Sequence, residues 1–200
     1  IQAEMLKATI KSLSYNENAR IVTDRHTVNL PLRVNWGGGW SDTPPYCNEN
    51  GGTVLNVAIL LNGKKPVEVT LERIDELKIV FDSRDMDVHG EFDTIEPLQA
   101  TGDPFDPFAL QKACLLAFGI IPQKGHKLED ILRRLGGGFV MHSEVTDVPK
   151  GSGLGTSSIL SAACVKAVFE FTGIEFTEED LYAHVLAMEQ IMSTGGGWQD

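Results

Sequence analysis

The chain has 200 residues, 42% of them apolar and 22% charged, and a formal net charge of −11. That length suffices for one domain with a real core, and the acidic balance argues against a nucleic-acid groove or an anionic membrane as the main partner. An anionic small ligand stays allowed, because a local ring of backbone N–H groups binds phosphate whatever the global charge.

In chain order, "IQAEMLKATIKSLS" reads as part of an amphipathic helix without an initiator Met or signal-peptide core, and residues 1–26 are expected to be a lead-in helix and linker. "TVNLPLRVNW" (27–36) alternates like a half-buried strand, with Pro31 at an edge or bulge. "GGGWSDTPPYCNENGG" (37–52) is loop chemistry, and "TVLNVAILL" (53–61) is a second strand ending in an "NGKKP" turn. "VEVTLERIDELKIVF" (67–81) predicts two strands around a charged turn, and the acidic stretch 82–106 predicts a solvated connection with short extended pieces. Helices are predicted over 107–121 and 127–137, each with a glycine stop, and a strand over 137–145. Strands and helices interleave without a regular βαβ period, so the fold class expected is α+β.

The three cysteines, Cys47, Cys114 and Cys164, stand apart, which fits buried thiols in a reducing, cytoplasmic setting better than disulfides or a zinc site. No apolar run approaches the roughly 18 residues of a membrane helix. None of the five histidines is given a role.

"DVPKGSGLGTSSILSAACVKAVFEF" (147–171) sets Gly-Ser-Gly-Leu-Gly-Thr-Ser-Ser directly before a long apolar helix. Glycines let backbone N–H groups converge, and a helix N-terminus adds free donors and the positive end of its dipole. The hydroxyls of Thr156, Ser157 and Ser158 suit phosphate or hydrated Mg2+. The P-loop template fails because no Lys follows Gly155, and the dinucleotide fingerprint fails at Thr156, which disfavours an NAD-dependent enzyme. A plain helix-capping loop remains the alternative at this point.

"TEEDLYAHVLAMEQIM" (177–192) predicts a helix with Thr177 as N-cap, Asp180 three residues on, and an apolar stripe of Leu181, Val185, Met188 and Met192. Glu189 falls at the margin of that stripe, where it is either an ordinary surface acid or a metal ligand. Asp200 follows a Gly-Gly-Gly turn in "STGGGWQD". Hydroxyls on a phosphate loop, a Glu for Mg2+ and an Asp to orient or deprotonate an attacking hydroxyl are the parts of phosphoryl transfer.

On "PKGSGLGTSS", "LRVNWGGGWSDTPP" and "STGGGWQD", taken in order, the chain resembles the GHMP family of small-molecule kinases, and within it the L-fucose kinases. The resemblance implies the N-terminal domain of that fold over residues 27–200. This is a mixed sheet with helices on one side, of the ribosomal-protein-S5-domain-2-like type, whose C-terminal partner domain the chain lacks. It implies ATP and Mg2+ as cofactors and phosphorylation of the anomeric hydroxyl of L-fucose. Pro149, Lys150, Gly151, Ser152, Gly153, Leu154, Gly155, Thr156, Ser157 and Ser158 would wrap the ATP phosphates, with Ser157 and Glu189 on the metal. Asp200 aligns with the catalytic acid and Arg33 with an arginine that steadies it, while Asp42, Gly39, Trp40, Gly196 and Gly197 fall at the sugar.

One departure matters. Galactokinases carry Glu-His where this chain has Gly39-Trp40, so their hydroxyl-recognition pattern is broken. Trp40 and Trp198 are read either as packing on the methyl group and apolar face of a 6-deoxy sugar or as core aromatics. The resemblance spans stand-alone fucokinases and the kinase part of bifunctional fucokinase/fucose-1-phosphate guanylyltransferases, which leaves a fused guanylyltransferase upstream open. The alternatives are a heptose-7-phosphate kinase, whose family segment reads G-G-G-T-D, and a truncated ATP-binding module inactive by itself.

Overall fold

A computed structural model of the chain describes residues 15–103, 105–149, 152 and 154–192. The expected lead-in helix over 1–14, together with Lys150, Gly151, Gly153 and 193–200, lies outside the described residues.

Period-2 alternation builds the sheet. In β4 (Val67–Ile74), Val67, Val69 and Leu71 are buried while Glu68 and Glu72 point the other way. β1 (Arg25–Leu30) and β7 (Gly138–Val145) flank β4, both antiparallel to it. β5 (Ile79–Ser83) runs parallel to β7 and pairs with the edge strand β6 (Val88–Phe92). The order is therefore β1-β4-β7-β5-β6, a mixed sheet of five strands. Val28, Val69, Met141 and Phe81 line the core face. On the other face Thr27, Thr70, His142, Asp82 and His89 form one transverse polar row. There the Thr27 and Thr70 hydroxyls are 2.8 Å apart, and His142 Nδ1 lies 2.7 Å from Asp82 Oδ2. Partial burial pushes the Asp82 carboxyl up, but the hydrogen bond and charge of His142, with Arg84, outweigh it and hold the group below its ordinary value.

The helices follow in order: α1 (Tyr46–Asn50), α2 (Glu96–Gln99), α3 (Ala109–Ala117), α4 (Leu128–Leu135), α5 (Thr156–Thr172) and α6 (Glu178–Met192). α5 rests on β4 and β1, and α6 covers α5 and α3. Ala163, Cys164, Val165, Ala167 and Val168 are all buried, so α5 is an interior helix between sheet and α6, as its apolar run requires. The fold is the expected α+β class, with the helices on one side of the sheet.

Three segments differ from their sequence reading. Residues 27–36 are not one strand. The chain breaks at Pro31, which cannot continue the ladder, and β2 (Leu32–Gly37) leaves for a separate pairing with β3 (Leu55–Ile59). The stretch 37–52 is not all loop, since it carries α1; the two strands read around the charged turn in 67–81 are present, with β7 between them in the sheet. The stretch 82–106 is more than a connection: it carries β6 and α2, and buries Ile95 and Leu98. Lys112 and Asp106, 2.6 Å apart and nearly buried, tie its end to α3.

Cys114 and Cys164 are free and buried. Desolvation raises both thiols, that of Cys164 up to about 12, which makes them inert core groups. Cys47 is half-buried.

The start of α6 carries a reciprocal cap. Thr177 N donates to Asp180 Oδ2 at 2.9 Å, and Asp180 N donates to Thr177 Oγ1 at 3.2 Å. Thr177→Ala should cost about 1 kcal/mol in urea unfolding. The Thr177 backbone and side-chain hydrogen bonds hold the Asp180 carboxyl below its ordinary value. Its stabilising effect is therefore present above the unfolded-state value of about 4 and is lost as pH falls through the lower folded value. Urea midpoints of wild type and Asp180→Asn should differ at neutral pH and converge in strong acid.

Candidate active site

The site begins on the small hairpin. β2 and β3 pair antiparallel with Arg33 opposite Ala58 and Asn35 opposite Asn56, and a register shift after Asn35 precedes the last pair, Gly37 with Leu55. Leu32, fully buried, anchors the hairpin in the core. Period-2 alternation then puts Arg33 and Asn35 together on the other face.

Across from Arg33 stands the end of the glycine loop. Gly155 is the N-cap of α5 with φ +67°, and no side chain caps that helix start. A Cβ at Gly155 would fall 2.6 Å from Arg33 Nη2 and 2.8 Å from Nε, so the Nε–Nη2 edge of the guanidinium points at the glycine. Only glycine allows both the left-handed turn and this approach. A cation against the positive end of a helix is repulsive by itself and becomes favourable once an anion joins the pair. The arrangement fits a phosphate ligand.

Around this centre, Pro149, Ser152 and Ser157 are exposed, while Leu154, Thr156 and Ser158 are half-buried. Ser152 N donates to Pro149 O at 3.2 Å. Ser157 sits in the first turn of α5 with its side chain toward solvent. Glu189 is only 7% exposed on α6, the helix that covers α5, so it is a buried acid rather than one at the stripe's margin. A hydroxyl and a carboxylate are the hard oxygen donors Mg2+ takes. Among the described residues no three metal-ligating side chains cluster, and Mg2+ bound mainly through phosphates and water needs no such cage.

The 37–42 loop is fastened from both ends. Ser41 Oγ donates to Gly38 O at 2.6 Å and accepts the Thr53 N–H at 3.1 Å. Asp42 is sunk to 6% exposure behind it, while Trp40, with φ +70°, is 81% exposed at the tip. Trp40 is therefore not a core aromatic. Gly39 is exposed beside it. Gly196, Gly197, Trp198 and Asp200 lie outside the described residues.

The sequence reading passed over a polar groove of about 600 Å3 where β7 ends, lined among others by Asn62, Lys64, Lys65, Glu144, Thr146 and Asp147. Its signal was present as a pair of lysines in the turn of an acidic chain, yet a turn reading treats them as solvated charges. The groove ends at Asp147, four residues before the first glycine of the loop.

Residues 125–200 match the GHMP kinases N-terminal domain family. The chain is 37% identical over 174 residues to an L-fucokinase/L-fucose-1-P guanylyltransferase of Bacteroides fragilis, covering 85% of this chain and 18% of that protein. It is 30% identical to a D-glycero-alpha-D-manno-heptose 7-phosphate kinase of Campylobacter jejuni, over 83% of this chain and 44% of that one. A solved D-glycero-D-manno-heptose 1-phosphate kinase from Bacteroides thetaiotaomicron superposes with a TM-score of 0.63 at 25% identity, covering 88% of this chain and 51% of the other. The chain thus spans about a fifth of the first relative and less than half of the second.

Proposed function

The chain carries the N-terminal domain of the GHMP kinases, and from that premise we propose that it is the nucleotide-binding part of an ATP-dependent sugar kinase that converts L-fucose to L-fucose 1-phosphate. The observation that carries the reading is the Arg33 guanidinium laid against the Gly155 cap of an otherwise uncapped helix.

Bound ATP supplies the transferable phosphoryl group, and Mg2+ supplies charge that neutralises it. Residues 149–158 wrap the phosphates through backbone N–H groups, and Ser157 and Glu189 provide oxygens for the metal. The groove at Asn62, Lys64 and Lys65 takes the nucleoside end, since its lining reaches Asp147, just before the loop in the chain, and it has the volume for it. Arg33 steadies charge on the phosphoryl oxygens. Asp200 accepts the proton of the anomeric hydroxyl as that oxygen bonds to phosphorus and the bond to the leaving ADP breaks. Asp42 accepts hydrogen bonds from sugar hydroxyls, and Gly39, Gly196 and Gly197 let the sugar approach the backbone. Trp40, exposed and apolar, offers a surface for the methyl group of a 6-deoxy sugar. The setting proposed is cytoplasmic. A guanylyltransferase on the same polypeptide, as the Bacteroides fragilis relative's name states for that protein, would consume the sugar 1-phosphate.

The heptose kinase similarity supports a second reading, a phosphorylated heptose as acceptor. A coupled ADP assay on the full-length protein separates the two. The expected outcome is turnover with L-fucose and a new anomeric phosphate by phosphorus NMR. Turnover with a heptose phosphate alone would move the assignment to the second reading. ATP binding by calorimetry without turnover on either sugar would leave a nucleotide-binding module.

A further inference from the structure

β2 supports two glycine loops from one face. Arg33 lies against Gly155 at the end of the phosphate loop, and Asn35, about 6.8 Å further along the strand, lies against Gly39 in the 37–42 loop. A Cβ at Gly39 would fall 3.2 Å from Asn35 Cγ, Oδ1 and Nδ2 alike, so the amide plane faces that residue squarely. Asn35 Nδ2 donates to Asn56 Oδ1 at 3.1 Å across the hairpin, which fixes the orientation of the amide. Two asparagines face each other here at exposed positions of paired strands, where β-branched residues would serve the hairpin better. Strand stability does not explain the pair.

We infer that Asn35, held by Asn56, is a positioning residue that sets the 37–42 loop at a fixed distance from the phosphate loop, and so aligns the acceptor with the phosphoryl donor. The alignment of an acceptor rests on the sugar-kinase reading; the setting of the loop does not. Strand β2 is then a rigid spacer, with Arg33 addressing the phosphate side and Asn35 the acceptor side. Asn56 acts through Asn35, so the two amides act as one unit.

The test uses the full-length protein with Asn35→Ala, Asn56→Ala and the double variant. In the ligand-free protein, hydrogen exchange is followed at Ser41 N, which donates to Gly38 O, and at Thr43 N, which donates to Trp40 O. Each single variant should speed exchange there by about five- to tenfold, and the double by no more than either single. The Ile159 amide in the first turn of α5 should keep its wild-type rate. In turnover, kcat/KM for the sugar should fall about tenfold in all three variants while ATP affinity holds. An Asn56→Ala variant matching wild type in loop exchange, or a double variant with additive losses, overturns the inference. A wild-type protein that phosphorylates neither fucose nor a heptose phosphate defeats the sugar-kinase reading instead, and the exchange measurement still decides the positioning role.

Discussion

Gly155→Ala should weaken ATP binding more than tenfold and lower kcat/KM about 100-fold, with only a modest loss of fold stability. The added methyl meets two separate obstacles. The left-handed backbone at φ +67° costs a non-glycine residue about 1–2 kcal/mol. The methyl also lands 2.6 Å from Arg33 Nη2, a contact that real side chains do not sustain. The guanidinium is the far end of a flexible side chain, so it swings away at little energetic cost to the fold. The functional cost is larger, because the displaced group is the one laid against the helix end where phosphate would sit. Gly136→Ala is the control. It too has positive φ and caps a helix, at the end of α4, but a Cβ there meets open space. That variant should lose comparable stability and keep wild-type ATP affinity. Equal effects of the two substitutions on calorimetric ATP binding would sink the phosphate-site assignment.

Asp200→Asn in the full-length protein should lower kcat by about 10²–10⁴-fold while leaving ATP affinity in place. The amide keeps the size of the carboxylate and removes its capacity to take a proton. A sugar hydroxyl is a poor nucleophile until that proton is shared, so the loss belongs to the chemical step and not to nucleotide binding. An unchanged kcat would refute the base assignment. The two variants are complementary: one empties the phosphate site, the other leaves it filled and idle.

Much of this was legible in local patterns. The strand at 137–145 and the helix ending at Gly136 follow from periodicity and stop signals that act within a few residues. The glycine loop was legible as a candidate anion site, because an anion cradle is built mostly from consecutive backbone N–H groups. Pro31 was read as an edge or bulge, and it proves to be where one apparent strand becomes two in different sheets. The Lys64–Lys65 turn was passed over, since its groove forms only when that turn meets β1, β4 and the end of β7.

The sequence by itself determined most of the strands and helices, which loop is a candidate anion site, and which acids and hydroxyls are available for phosphoryl transfer. Those properties reside in neighbouring residues and survive without a partner. Only the tertiary structure decided that β7 separates β4 from β5, that Glu189 is buried, that Trp40 faces solvent, and that Arg33 and Asn35 reach glycines 122 and 4 residues away. The reason is chain closure. Residue spacing sets directions along one element, but a contact between distant elements exists only after the core has chosen which faces meet.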